Sequence, residues 1–174
     1  MINLVTGGSG FIGSNLIDRL INNGEFVLCL DDFSSGEIEN IKKFLSNKNF
    51  QFFKKDITNS IELNIKIDRI WHLACPGSPT FYQLDPIKTS KVNFEGTLNI
   101  LKIAQQNNSK ILFASSSEVY GNPKIHPQDE NYFGSVNPIG IRSCYDEGKR
   151  IAESLFFDFH RIHNLDIKIA RIFN

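Results

Sequence analysis

An excess of charge of either sign is missing: nineteen basic residues balance nineteen acidic ones, for a formal net charge of zero. Nothing global therefore draws the chain to nucleic acid or to an anionic membrane surface. Long apolar runs are missing too, and none approaches the roughly 18 residues of a spanning helix. The N-terminus has no basic segment ahead of its apolar residues, and Gly7-Gly8 interrupts them, so it does not read as a signal peptide. Cysteine is scarce. Cys29, Cys75 and Cys144 are odd in number and lack metal-ligand spacing, as do His72, His126, His160 and His163. No metal site is expected, and three reduced thiols point to a cytoplasmic protein. No internal repeat, low-complexity run or linker-like segment breaks the chain. Its 174 residues suffice for one domain with a real core.

What is present is an alternation of short β-prone runs with helical patterns. Ile2-Asn-Leu-Val-Thr6 leads into Gly7-Gly-Ser-Gly10-Phe-Ile-Gly13, then a helix-period stretch stopped by Gly24, then Phe26-Val-Leu-Cys-Leu30 ending in Asp31-Asp32. This order of strand, glycine turn, helix, strand and acid is the setting that a dinucleotide fingerprint requires. Gly7 permits the tight turn, Gly10 the approach of a pyrophosphate, and Gly13 close packing of helix on strand. The helix N-terminus then offers free amides and a positive dipole end to phosphates. Asp31, eighteen residues after Gly13, is placed to accept hydrogen bonds from an adenosine ribose. Its charge, with Asp32 beside it, would repel a 2′-phosphate, so NAD is favoured over NADP.

Further strands are expected at residues 49–53, 69–74, 110–114 and 166–172, with a long helix over 86–108 and a Pro- and Gly-rich loop over 121–138. The fold class that follows is α/β, a Rossmann-type doubly wound parallel sheet. In such sheets ligands bind beyond the carboxyl ends of the strands. The Gly7 turn, Asp31, the loop after Ala74 and residues 115–118 all fall there.

Tyr145 and Lys149 stand four positions apart at the start of a helix whose apolar face is expected to carry Gly148, Ile151, Leu155, Phe159 and Ile162. An (i, i+4) pair shares one side of a helix, so the ammonium would lie by the phenol and draw its pKa down from about 10. A phenol so tuned is a general base for a hydroxyl proton. Tyr-x-x-x-Lys alone fits a solvated helix face as well; its place at the strand ends lifts it above that reading.

Together Thr6-Gly-Gly-Ser-Gly-Phe-Ile-Gly13, His72-Leu-Ala74, Ser115-Ser-Ser-Glu-Val-Tyr-Gly121, Tyr145-x-x-x-Lys149 and Arg171-Ile-Phe-Asn174 resemble the extended short-chain dehydrogenase/reductases that act on nucleotide sugars. Within that family the stretches 115–128 and 137–150 are similar, almost position for position, to the branch that decarboxylates UDP-glucuronate. Related 4,6-dehydratases carry Asp at the position of Ser117, and epimerases a small residue at that of Glu118. The Ser117-Glu118 pair therefore resembles the decarboxylase pattern.

The resemblance implies NAD-dependent conversion of UDP-glucuronate to UDP-xylose through a 4-keto intermediate. Tyr145 would be the base, Lys149 its cation, Ser116 a hydrogen-bond partner of the same sugar oxygen, and Glu118 an aid to decarboxylation at C5. It implies cofactor contacts from Gly7, Gly10, Phe11, Ile12, Gly13, Asp31, Asp32, Asp56, Ile57, Leu73, Ala74, Tyr145 and Lys149. Substrate contacts would come from Pro76, Ser78, Tyr82, Ser117, Glu118 and Asn174. It also implies a homodimer through the helices 86–108 and 145–163, whose residues Phe94, Leu98, Phe156 and Phe157 supply more than one apolar face.

Two small departures are Ile141, where proline is usual, and Val92, where threonine is common. Family members continue for roughly as many residues again, with a substrate lobe and an arginine for the sugar carboxylate. Residues 1–174 are thus expected to be the NAD-binding Rossmann domain, with the C-terminal substrate lobe absent. The alternatives are a nucleotide-sugar 4-epimerase or 4,6-dehydratase, a catalytically incomplete NAD-binding module, or one half of a split enzyme.

Overall fold

A computed structural model describes residues 1–173. Six strands form one parallel sheet: β1 (Ile2–Thr6), β2 (Phe26–Asp31), β3 (Phe50–Lys54), β4 (Arg69–His72), β5 (Lys110–Ser116) and β6 (Ile167–Ile172). Their order is β3-β2-β1-β4-β5-β6, which is the doubly wound Rossmann arrangement expected from the sequence. The strand order reverses between β1 and β4, and the crevice opens there.

Side chains alternate across each strand, so the sheet builds two cores. Leu4, Leu28 and Leu30 face one way and pack with Ile100, Leu101, Ala104 and Phe156. Val5, Val27 and Cys29 face the other way, against Ile17 and Leu20 of α1 (Phe11–Asn22) and against Ile41 and Phe44.

After the short α2 (Pro79–Tyr82), the expected helix over 86–108 forms in three pieces. They are α3 (Pro86–Lys91), a π-helical segment Val92–Gly96, and α4 (Thr97–Asn107). Pro86 at the first turn and Asp85, whose side chain accepts from Lys88 N at 2.9 Å, start it. Asn108, left-handed at φ 53°, stops it. The π segment coincides with tight packing: a Cβ on Gly96 would fall 2.6 Å from Ile57 Cδ1. Wider turns of this kind cluster at functional sites.

The last helix, α5 (Ser143–His163), corrects one expectation. Its buried face carries Tyr145, Gly148, Lys149, Ala152, Glu153 and Phe156; of the expected stripe Gly148 lies on that face and Leu155 and Phe159 pack against the core, whereas Ile151 and Ile162 do not. Ile162 is 72% exposed and Ile151 41%. The inward stripe contains a lysine and a glutamate because both find partners on the sheet, so apolar spacing alone selected the neighbouring face. Close approach of α5 needs a glycine, since a Cβ on Gly148 would meet Asn93 Nδ2 at 2.7 Å.

Candidate active site

The turn after β1 is built so that only glycine fits. Gly7 has φ +71°, and a Cβ there would lie 2.8 Å from the Ala74 amide nitrogen. A Cβ on Gly13 would lie 2.3 Å from Gly7 O, which brings α1 hard against the turn. Around Gly10, by contrast, the nearest such contact is 3.4 Å. No side chain caps the N-terminus of α1, leaving its first amides to face the crevice.

A groove of about 430 Å³ runs over this turn. Gly7, Gly10, Phe11, Ile12 and Gly13 line it, with Asp31 and Asp32 from the end of β2, Asp56 and Ile57 after β3, and Leu73 and Ala74 after β4. Pro76 and Ser78 continue it toward α2. These thirteen positions, scattered across five segments, are all ones the sequence nominated. Ser34, Ser35, Gly36 and Cys75 also line the groove and went unnoticed. The run of small residues directly after the Asp31-Asp32 pair was the available signal for the first three. Gly36 is needed there, because a Cβ would sit 2.8 Å from the Ser9 carbonyl carbon.

Asp31 is held by two backbone amides, Ser9 N to Oδ2 and Phe33 N to Oδ1, each at 2.9 Å. Each oxygen keeps lone-pair capacity for a ribose hydroxyl. Asp32 departs from its expected role. Lys88 Nζ donates to it at 2.8 Å and lies 3.5 Å from Asp56. Burial acts to raise the Asp32 pKa, yet the hydrogen bonds from Lys88 and Ser34 outweigh it and hold the carboxylate below its ordinary value. With Asp32 neutralised by a lysine, repulsion of a 2′-phosphate falls to Asp31.

At the inner end of the groove Ala114 and Cys75 lead to Tyr145 and Lys149, which the structure brings together with Ser116 and Glu118. Lys149 is buried; its ammonium donates to Ala114 O at 2.9 Å and lies 5.6 Å from the Tyr145 ring centroid. Burial lowers the Lys149 pKa, with Cys75 and Glu153 opposing.

The expected downward tuning of Tyr145 is not what the structure shows. Its phenol is 8% exposed and is pushed up to about 12, first by burial and then by Cys75; a hydrogen bond with Ser116 acts in the opposite sense. The (i, i+4) spacing did place the ammonium near the ring, but Lys149 spends its hydrogen bond on the end of β5.

Tyr82, expected among the substrate contacts, is 1% exposed and stacks on Tyr145 with ring centroids 4.8 Å apart. It backs the phenol instead of lining the opening. Ser117 and Glu118 begin the 3-10 turn Ser117–Tyr120, where Ser116 Oγ accepts from Glu118 N at 3.2 Å. Glu118 is paired with Arg142, the residue before α5, at 2.5 Å. That partner, twenty-four positions away, leaves no local signal in the sequence. Asn174 lies outside the described residues. Among the described residues no cluster of His, Cys, Asp and Glu could hold a metal ion, and no helix is long and apolar enough to cross a membrane.

Behind the site, Arg171 forks onto Glu153, with Nε to Oε1 at 3.0 Å and Nη2 to Oε2 at 2.7 Å, while Ser115 donates to the same carboxylate at 2.6 Å. This pair ties α5 to β6 and β5. Arg171 also donates to the Tyr120 hydroxyl at 2.8 Å, which anchors the turn that carries Glu118.

Residues 4–174 match the sequence profile of the GDP-mannose 4,6 dehydratase family. The chain belongs to that family. Among curated proteins it is 54% identical over 172 residues to UDP-glucuronic acid decarboxylase 3 of Arabidopsis thaliana, covering 98% of this chain and 50% of that one. It is 46% identical to UDP-glucuronic acid decarboxylase 1 of Danio rerio, covering 98% and 40%. The chain thus spans about half the length of the curated relatives it matches. Among solved structures, UDP-glucose 4-epimerase from Thermotoga maritima, bound to UDP-glucose, superposes with a TM-score of 0.85 at 31% identity, over 98% of this chain and 55% of that one. A dTDP-glucose 4,6-dehydratase from Streptomyces venezuelae with NAD bound gives 0.86 at 26%, with the same coverage.

Proposed function

We propose that residues 1–174 form the NAD-binding, tyrosine-bearing portion of an NAD-dependent UDP-glucuronate decarboxylase. The observation that carries this reading is the 54% identity, across 98% of the chain, with a UDP-glucuronic acid decarboxylase. The groove supports it. Gly7 and Gly13 let the turn and α1 close up against backbone, Gly10 leaves the approach over the turn open, and Asp31 offers acceptor oxygens for a ribose diol. Gly7, Gly10, Gly13 and Asp31 would hold NAD, which would supply reversible hydride transfer at the sugar C4.

The chain's own residues do the rest. Tyr145 takes the 4-hydroxyl proton and gives it back at the end. Ser116, beside the phenol, holds the same sugar oxygen in line. The ketone at C4 stands β to the carboxylate, so carbon dioxide leaves with its electrons delocalised onto that ketone. Glu118 assists beside C5. Pro76 and Ser78, on the groove wall, border the sugar.

We read the protein further as a cytoplasmic homodimer. Free thiols at Cys29, Cys75 and Cys144 fit a reducing compartment. Ile87 on α3 and Phe94 on the π-helical segment, with Ile151, Phe157 and Ile162 on α5, offer apolar surface for pairing, whereas Phe156 is spent in the core. The experiment is to incubate the chain with UDP-glucuronate and NAD+ and identify the nucleotide sugar by mass spectrometry. UDP-xylose that disappears with Tyr145→Phe supports the reading. UDP-galacturonate points instead to a 4-epimerase, which the likeness to UDP-glucose 4-epimerase makes the second reading. Equal product from Tyr145→Phe removes the assigned base.

A further inference from the structure

Glu118, Arg142, Asp146 and Tyr82 come from three separate elements and meet beside Tyr145. Arg142 Nη2 lies 2.5 Å from Glu118 Oε2, and its Nε is 4.0 Å from Asp146 Oδ1, one helical turn further on. Two polar atoms of this cluster, Tyr82 Oη and Asp146 Oδ1, are buried with no hydrogen-bond partner among the described residues. Unsatisfied buried atoms are rare and mark places where water or a ligand is expected. The other cations around the site are committed elsewhere. Lys149 donates to Ala114 O, Arg150 to the carbonyls of Val119 and Phe133, and Arg171 to Glu153. One guanidinium therefore serves two carboxylates.

A surface ion pair of this kind usually contributes little to stability. Its effect on a third negative charge is larger. If the substrate is a hexuronate, as the decarboxylase reading requires, its carboxylate must settle next to Glu118 and Asp146. Like charges a few ångströms apart in a partly desolvated cleft repel one another strongly. We propose that Arg142 is a positioning and specificity residue: it pins the Glu118 carboxylate beside Tyr145 and supplies the positive charge that admits an anionic sugar. A lysine could match the charge but not the planar guanidinium that bonds Glu118 through Nη2 while its Nε lies 4.0 Å from Asp146.

Asp146 reports on this arrangement independently of turnover. Burial pushes its pKa up to about 6, Arg142 opposes, and Glu118 and Glu147 add to the rise. Tyr82 from α2, with Cys144 and Tyr145 of its own helix, completes its surroundings.

The test uses the 174-residue chain as wild type, Arg142→Lys, Arg142→Met, Glu118→Gln and the Glu118→Gln/Arg142→Met double variant. Side-chain carboxyl carbon resonances follow the Asp146 titration; with NAD+ present, calorimetry compares UDP-glucuronate with UDP-glucose. Arg142→Met should move the Asp146 midpoint up from about 6 and should weaken UDP-glucuronate by about tenfold or more while leaving UDP-glucose within about twofold. Arg142→Lys should recover part of the loss, and Glu118→Gln should shrink it, because one repelling carboxylate is gone. Equal losses for both nucleotides, or no loss for either, overturn the proposal. Wild type that binds neither nucleotide counts against the decarboxylase reading. In that case the titration alone judges Arg142: an upward move supports the clamp, and a midpoint that stays near 6 overturns it.

Discussion

Replacing Tyr145 by Phe and titrating both proteins from about pH 8 to 13 isolates one phenol among four, because the difference in phenolate absorbance belongs to Tyr145. The structure puts that phenol at about 12 against an ordinary value of 10, and its 8% exposure leaves little solvent to soften the effect. The gap is worth on the order of 3 kcal/mol. Its sign follows from the raised pKa: the folded protein prefers the neutral phenol. That preference is fully present below about pH 10 and is lost as pH rises from 10 through 12. Lys149→Met, which removes an ammonium 5.6 Å from the ring centroid, should raise the midpoint further. A difference titration centred near 10 would refute the account of burial. The proposed base role makes a second demand. With a midpoint near 12 the phenolate fraction at pH 8 is about one in ten thousand, so saturating NAD+ has to bring the midpoint down. If it stays put, Tyr145 is not the base.

Three further outcomes follow from the packing. Gly13→Ala puts a methyl 2.3 Å from Gly7 O and 2.6 Å from Gly8 Cα, both backbone, so α1 must lift off the turn. A cost of about 1–3 kcal/mol in urea unfolding, together with loss of NAD binding by calorimetry, is expected. Arg171→Leu strands the Glu153 carboxylate against the sheet and should destabilise by about 3–5 kcal/mol. The Arg171→Leu/Glu153→Leu pair should cost less than Arg171→Leu alone, and additive losses would show that the fork does not matter. His72 is buried, with Thr6 and Thr97 hydroxyls on its two ring nitrogens, and burial takes its pKa from 6.5 to about 3. Its contribution is present above pH 6.5 and fades as pH falls toward 3, by up to about 5 kcal/mol, so His72→Gln should flatten acid unfolding over that window.

The sheet and the dinucleotide groove were legible because each rests on local rules. Strand alternation, glycine at positions where a Cβ collides with backbone, and an acid at the end of β2 all show within a few residues of sequence. The groove's far wall, at Asp56, Ile57, Leu73 and Ala74, was nominated through the family resemblance, and all four lie at or just past strand ends. What stayed hidden depends on partners that only folding supplies. Lys88 reaches Asp32 across fifty-six positions, and Arg142 reaches Glu118 across twenty-four. The π segment within 86–108 packs Gly96 against Ile57 from the turn after β3, a contact that helical periodicity does not report.

The error on α5 has the most general cause. Apolar spacing reports where hydrophobic side chains recur, whereas burial also goes to polar groups whose partners wait on the opposing surface. Tyr145, Lys149 and Glu153 recur at four-residue steps and form a polar stripe through an otherwise apolar helix. Ala114 O, Arg171 and Ser115 satisfy it from β5 and β6. A stripe of this kind costs folding energy unless each member is matched. Its presence on the sheet-facing side therefore marks the helix as one arranged around a site. Of the apolar stripe that the spacing did find, Leu155 and Phe159 pack against the core, while Ile151 and Ile162 at its edge stay exposed.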